Sequence, residues 1–111
     1  MAAANVQTYT DENFQTEVVG SSQPVLVDFW AEWCQPCRLL GPTIEKIASS
    51  FAGKVKVGKV DIDTNQNVAI EYKISAIPTV LIFKDGKVQK KFVGMTGEGD
   101  LEAALKELVA G

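Results

Sequence analysis

Histidine is absent from this sequence and cysteine occurs only twice. Without histidine, the commonest general base and the commonest metal ligand are both missing. Ser-His and Cys-His catalysis are therefore excluded. A four-ligand zinc site built from Cys and His within one chain is excluded as well. No apolar run approaches the ~18 residues of a membrane-spanning helix, so no membrane contact is expected. Basic residues number 11 against 14 acidic ones, a formal net charge of −3. Lys54, Lys56 and Lys59 are the nearest thing to a basic cluster, and they fall on a strand pattern. Nucleic acid is not an expected partner, because a phosphate-binding domain normally shows a basic patch or stripe. Met1 and the three alanines after it lack the basic and apolar regions of a secretory signal. A cytoplasmic monomer is expected, or an organelle stroma or matrix location if the chain is a processed form.

The composition is that of an ordinary folded globule, 46% hydrophobic and 23% charged. Residues 1–111 suit a single domain. A domain of this size buries roughly two thirds of its unfolded surface, so it needs no disulfide staples.

The elements alternate along the chain. Val6 to Tyr9 reads as a short strand. Thr10 is an N-cap candidate for a helix whose apolar face holds Phe14, Val18 and Val19. Val25 to Trp30 is apolar almost throughout, which marks a strand covered on both faces. Leu40, Ile44, Ile47 and Phe51 then recur at helical spacing, with Pro42 inside and expected to kink that helix. Val55 to Ile62 is a third strand. Asp63, Thr64 and Asn65 offer caps for a short helix holding Val68, Ala69 and Tyr72. Thr79 to Phe83 is a fourth strand. Asp85-Gly86 signals a type I′ hairpin, so Val88 to Val93 returns antiparallel. Lys90 and Lys91 would blunt an exposed edge there. Leu101, Ala104, Leu105, Leu108 and Val109 form the stripe of a last helix. Glu102 and Lys106 are spaced for an i, i+4 ion pair. The order β-α-β-α-β-α-β-β-α reads as α/β, a mixed sheet with helices on both faces.

The two cysteines, Cys34 and Cys37, are spaced by two residues at the junction of the buried strand and the long helix. In a βα unit that spacing reads as a redox pair. Two structural cysteines packed as small hydrophobes are the alternative. Helix N-terminal N–H groups and the macrodipole favour a thiolate at Cys34, and the thiolate is the attacking species in disulfide exchange. Cys37 should be the more buried of the two. Asp28 is the second signal, a carboxylate in an apolar strand on one face with Leu26 and Trp30. Burial there would raise its pKa, and a nearby ammonium would lower it again. Lys59, on a face with Val55 and Val57, is the candidate partner, unless it snorkels to solvent. A carboxyl group titrating near neutrality can move a proton to or from a buried thiol. Pro78 enters the fourth strand from a turn, with cis and trans both open.

The segment from Phe29 through Trp33-Cys34-Gln35-Pro36-Cys37 to Arg38 resembles the active site of the thioredoxin family. The likeness extends to Asp28 and Pro42, then through Lys59-Val60-Asp61, Ile77-Pro78-Thr79-Val80 and Val93-Gly94. It covers the chain from about Val6 to Val109. It implies a thioredoxin fold, a five-stranded mixed sheet flanked by four helices. It implies a protein-disulfide reductase in which Cys34 is the exposed nucleophile and Cys37 resolves the mixed disulfide. Asp28, with Lys59 nearby, would serve proton transfer at Cys37. Pro78 would be cis and face the thiols, and the Ile77 backbone would pair with substrate. Trp33, Gly94 and Met95 would complete an apolar docking surface around Gln35 and Pro36. No cofactor would be bound. A thioredoxin reductase, fed by NADPH or ferredoxin, would regenerate the dithiol from the Cys34–Cys37 disulfide. The usual Gly-Pro between the cysteines is Gln35-Pro36 here, a departure expected to affect redox potential or docking. An oxidase or isomerase of folding proteins, and a non-enzymatic binding subunit, are the other readings of the same fold.

Overall fold

The strand expected to be covered on both faces is the centre of the sheet. In the computed structural model, which describes residues 5–110, β2 (Val25–Trp30) runs parallel to β3 (Lys56–Asp61) on one edge. On its other edge it pairs antiparallel with β4 (Thr79–Lys84). The outer strands are β1 (Val6–Thr8), parallel to β3, and β5 (Lys87–Val93), antiparallel to β4. The sheet is thus five-stranded and mixed, in the order β1-β3-β2-β4-β5. Met1 and the alanines after it lie outside the described residues.

Helices cover both faces. On one face, Leu26, Val57, Val80 and Ile82 pack against Leu40, Ile44 and Ile47 of α1 (Gln35–Ser50). Leu101 and Leu105 of α3 (Glu98–Ala110) complete that layer. The opposite face carries Val25, Val27, Phe29, Val60, Leu81 and Phe83. These meet Phe14 and Val18 from the first helical segment and Val68 from α2 (Gln66–Glu71). Each such aliphatic or aromatic side chain contributes about 1.5–3 kcal/mol when fully buried. β2 feeds both layers, which is why its residues from Val25 to Phe29 are all buried.

Local chemistry accounts for the boundaries. Asp85 and Gly86 both have positive φ, 54° and 79°, as a type I′ turn requires. The helix expected after Thr10 begins with a reciprocal cap. The Thr10 N–H donates to Asn13 Oδ1 at 2.7 Å, and the Asn13 N–H donates to Thr10 Oγ1 at 3.1 Å. The segment that follows, Gln15–Val19, is π-helical rather than α-helical, with the Gly20 N–H reaching back five residues to the Gln15 carbonyl. The wider turn brings Val18 and Val19 into the same apolar cluster as Phe14. α1 continues through Pro42 as a single element.

Two expectations are corrected. Glu102 and Lys106 make no ion pair among the described residues. The charge pairs instead join separate elements: Lys46 to Glu98 at 3.5 Å, Lys56 to Glu17 at 3.1 Å and Lys90 to Glu107 at 3.6 Å. An exposed i, i+4 pair is worth only a few tenths of a kcal/mol, too little to hold two solvated side chains together. α2 is also not capped by its own N-terminal residue. Asn65 stands at the N-cap position without a side-chain cap bond, and Asp11, 57 residues away from Val68, accepts the Val68 N–H at 3.0 Å.

β1 ends at Thr8, and the ring of the next residue, Tyr9, lies over Gly58. A Cβ on Gly58 would overlap the Tyr9 ring and sit 2.8 Å from the Gln7 carbonyl oxygen. Gly58→Ala is therefore expected to lose about 1–3 kcal/mol of stability, the usual cost of overpacking. The measurement is the urea midpoint, which should fall at constant slope. An unchanged midpoint would mean that the ring moves aside freely.

Candidate active site

The C-terminal end of β2 delivers the two cysteines. After Trp30 the chain turns through Ala31, whose carbonyl accepts the Cys34 N–H at 3.1 Å. Cys34 has extended backbone angles, φ −91° and ψ 105°, and is the N-cap of α1. Its Sγ accepts the Cys37 N–H at 3.2 Å, so one open donor of the helix terminus is aimed at sulfur. Pro36 occupies an early helical position, where no backbone donor is required. Cys34 and Cys37 are joined by a disulfide, their Cα atoms 5.3 Å apart. The first-turn N–H groups and the helix dipole favour negative charge at Cys34 once that bond opens. Among the described residues no cluster of three or more His, Cys, Asp or Glu is placed to hold a metal ion.

Exposure around the disulfide is uneven. Cys37 is 1% exposed and Cys34 only 5%, so in the disulfide form the expected exposed nucleophile is itself nearly covered. Ala31 packs with the two cysteines, and Trp30, Ile62 and Ile77 close around them. Gln35 and Pro36 lie exposed beside the pair. Glu32, Arg38 and Trp30 line a shallow pocket of about 370 Å³ next to it.

The loop residues gather at the same end of the sheet. The Ile77–Pro78 peptide bond is cis. Ile77 packs against the disulfide cluster, and the Pro78 carbonyl accepts the Gly94 N–H at 2.8 Å. Gly94 has φ 89°, in the left-handed region that favours glycine. Met95 follows it, 55% exposed, and Trp33 is 68% exposed. The Trp33 indole is nonetheless held, since its Nε1–H donates to Asp63 Oδ2 at 2.9 Å. The Asp63 N–H in turn donates to Asp61 Oδ1 at 2.9 Å. In the sequence Asp63 stands out only as a helix cap, and no local pattern links it to a tryptophan 30 positions earlier.

Asp28 is fully buried, and neither carboxylate oxygen has a hydrogen-bond partner. It shares a strand face with Leu26, which packs in the core under α1, and Trp30, which packs on the disulfide cluster, so it lies on the face covered by α1. It is in register with Lys59 on β3. The two do not form an ion pair. The Lys59 Nζ sits over the Trp30 ring, 4.7 Å from its centroid, where the negative face of the indole attracts it. Burial pushes the Asp28 carboxyl up from 3.8 to about 7, and the Lys59 charge draws it part of the way back.

This shift has a sign in the stability of the protein. Between about pH 4 and about pH 7 the folded chain holds a proton on Asp28 that the unfolded chain has released. Stability from this group is therefore complete below about pH 4 and is lost as pH rises through about 7, by up to roughly 4 kcal/mol. Urea unfolding of wild-type and Asp28→Asn protein across this range should show the difference between them growing with pH and levelling off above about 7. A constant difference would contradict the raised carboxyl.

Comparison with known proteins agrees with this architecture. Residues 5–107 match the family described as Thioredoxin. A mouse protein, "Thioredoxin, mitochondrial", is 53% identical over 105 residues, covering 95% of this chain and 62% of the relative. The chain thus spans less than two thirds of that relative's length. "Thioredoxin C-2" of Corynebacterium nephridii is 45% identical over 107 residues, covering 96% of this chain and 98% of the relative. "Thioredoxin" of Chlorobaculum thiosulfatiphilum is 53% identical over 85 residues, covering 77% of this chain and 79% of the relative. With a Cys-Gln-Pro-Cys pair at the head of α1 and a match along nearly its whole length, the chain belongs to the thioredoxin family.

Proposed function

We propose that this protein is a dithiol–disulfide oxidoreductase that reduces disulfides in other proteins. The observation that carries the reading is the Cys34–Cys37 disulfide at the N-terminus of α1, with Cys34 Sγ accepting a helix N–H. In the reduced form Cys34 is the nucleophile. Its thiolate attacks one sulfur of the substrate disulfide, and a mixed disulfide forms as the other substrate sulfur leaves as a thiolate. Cys37, one helical turn on, then attacks Cys34 Sγ. That step releases the second substrate thiolate and restores the internal disulfide.

Cys37 must lose its proton for the second attack. It is buried, so bulk water serves it poorly. Asp28 is the group that takes this proton in our reading, directly or through water. Its carboxyl titrates near neutrality, and it lies on the sheet face beneath α1. Lys59 adjusts that carboxyl by its charge. Trp33, Gln35, Pro36, Ile77, Gly94 and Met95 form the surface that receives the substrate strand, and Pro78, itself buried, sets the course of the loop at Ile77. Exposed apolar area at Trp33 and Met95, with Ile77 half-buried, supports docking of an extended peptide.

A thioredoxin reductase is the proposed source of electrons, drawing on NADPH or ferredoxin. The cytoplasm or an organelle matrix is the proposed compartment. A matrix location draws on the mouse relative, whose name places that protein in mitochondria.

Turnover of insulin with NADPH and a thioredoxin reductase tests this reading. Cys34→Ser should abolish it. Cys37→Ser should accumulate a mixed disulfide through Cys34, seen as a mass adduct that dithiothreitol removes. Full turnover by Cys34→Ser would overturn the mechanism.

A further inference from the structure

We propose that Met95 is an oxidation site, at which a peroxide converts the docking surface from a tight to a weak substrate-binding form. The inference rests on the protein-disulfide reductase reading above and adds a modification to the same surface. Only two methionines occur in the chain, Met1 and Met95. Met95 is 55% exposed, so its thioether is open to a small oxidant in solution. Its position is defined by the backbone, since Gly94 is tied to the Pro78 carbonyl at 2.8 Å and Ile77 packs on the disulfide cluster. Met95 thus directly follows a residue bonded to the loop that packs on the disulfide cluster, and Trp33 and Val93 are exposed apolar residues as well, 68% and 59%.

The chemistry differs from that of the cysteines. In the disulfide form Cys34 and Cys37 present no thiolate to a peroxide and are 5% and 1% exposed. Among the described residues, Met95 carries the accessible sulfur in that form. Hydrogen peroxide transfers one oxygen atom to the thioether sulfur. The O–O bond breaks, the S=O bond forms, the sulfur gives up two electrons and the peroxide leaves as water. A flexible apolar side chain becomes a polar sulfoxide. Thioethers suit surfaces that must accept varied apolar partners, and the sulfoxide forfeits that contact. The effect falls on binding of a protein substrate and leaves the cysteines chemically unchanged.

The experiment treats the disulfide form with hydrogen peroxide and locates the added oxygen by peptide mapping, which separates Met95 from Met1. The treated and untreated proteins are then compared as reductants of insulin and of a small aromatic disulfide. Oxidation of Met95 should raise KM for insulin about five-fold, the size expected when one interface side chain loses its apolar contact. The rate with the small disulfide, which needs little docking surface, should be unchanged. In Met95→Leu, peroxide treatment should leave that variant's own KM for insulin where it began. Complete sulfoxide formation at Met95 with an unchanged KM would overturn the proposal, as would an equal loss on treating Met95→Leu. An equal fall with both substrates would also overturn it, because it would place the damage at the cysteines. Untreated protein that reduces neither substrate would overturn the reductase reading itself, and this proposal with it.

Discussion

The pairing of β2 on both of its edges, with helices on both of its faces, is the constraint from which the site follows. Its backbone is committed to β3 and β4, and its side chains from Val25 to Phe29 are committed to the two core layers. The chain can leave this strand only at its C-terminal end. There it turns within a few residues into α1, so the helix terminus is built directly onto the central strand of the sheet. Cys34 is at that terminus because β2 ends where it does. The carboxyl ends of strands are where open α/β sheets generally place their chemistry, and this fold follows the rule.

The same burial explains the electrostatics. A carboxylate on β2 cannot reach water, and no donor is supplied to it. Asp28 therefore holds its proton to near neutrality, which costs stability at higher pH. Lys59 is close enough to moderate this shift but spends its charge on the Trp30 ring. With no histidine in the chain, the proton exchange proposed for Cys37 near pH 7 falls to a buried carboxyl of this kind.

Much of this was legible in the sequence, for identifiable reasons. The apolar run Val25–Trp30 announces a strand buried on both faces, and Asp28 stands out because it interrupts that run. Asp85-Gly86 is legible because a type I′ turn needs positive φ at both positions. The two cysteines are legible because their spacing and βα context occur together. The features that were not legible depend on partners distant in the chain. Trp33 finds Asp63 and Val68 finds Asp11 only after the fold has formed. Lys59 reads as a partner for Asp28, but the indole of Trp30, two residues on along the same strand face, captures the ammonium. The π-helical bonding of Gln15–Val19 is similarly hidden, because Phe14, Val18 and Val19 are spaced as an ordinary helix would allow.

The central claim is that Asp28 handles the proton of Cys37 during release of the substrate. The most direct test is the rate at which Cys37 resolves a preformed mixed disulfide on Cys34, followed against pH in wild-type protein and in Asp28→Asn. The account predicts an inflection near pH 7 in the wild type, where the carboxyl titrates at about 7, and its loss with slower resolution in the variant. Superimposable profiles for the two proteins would contradict it.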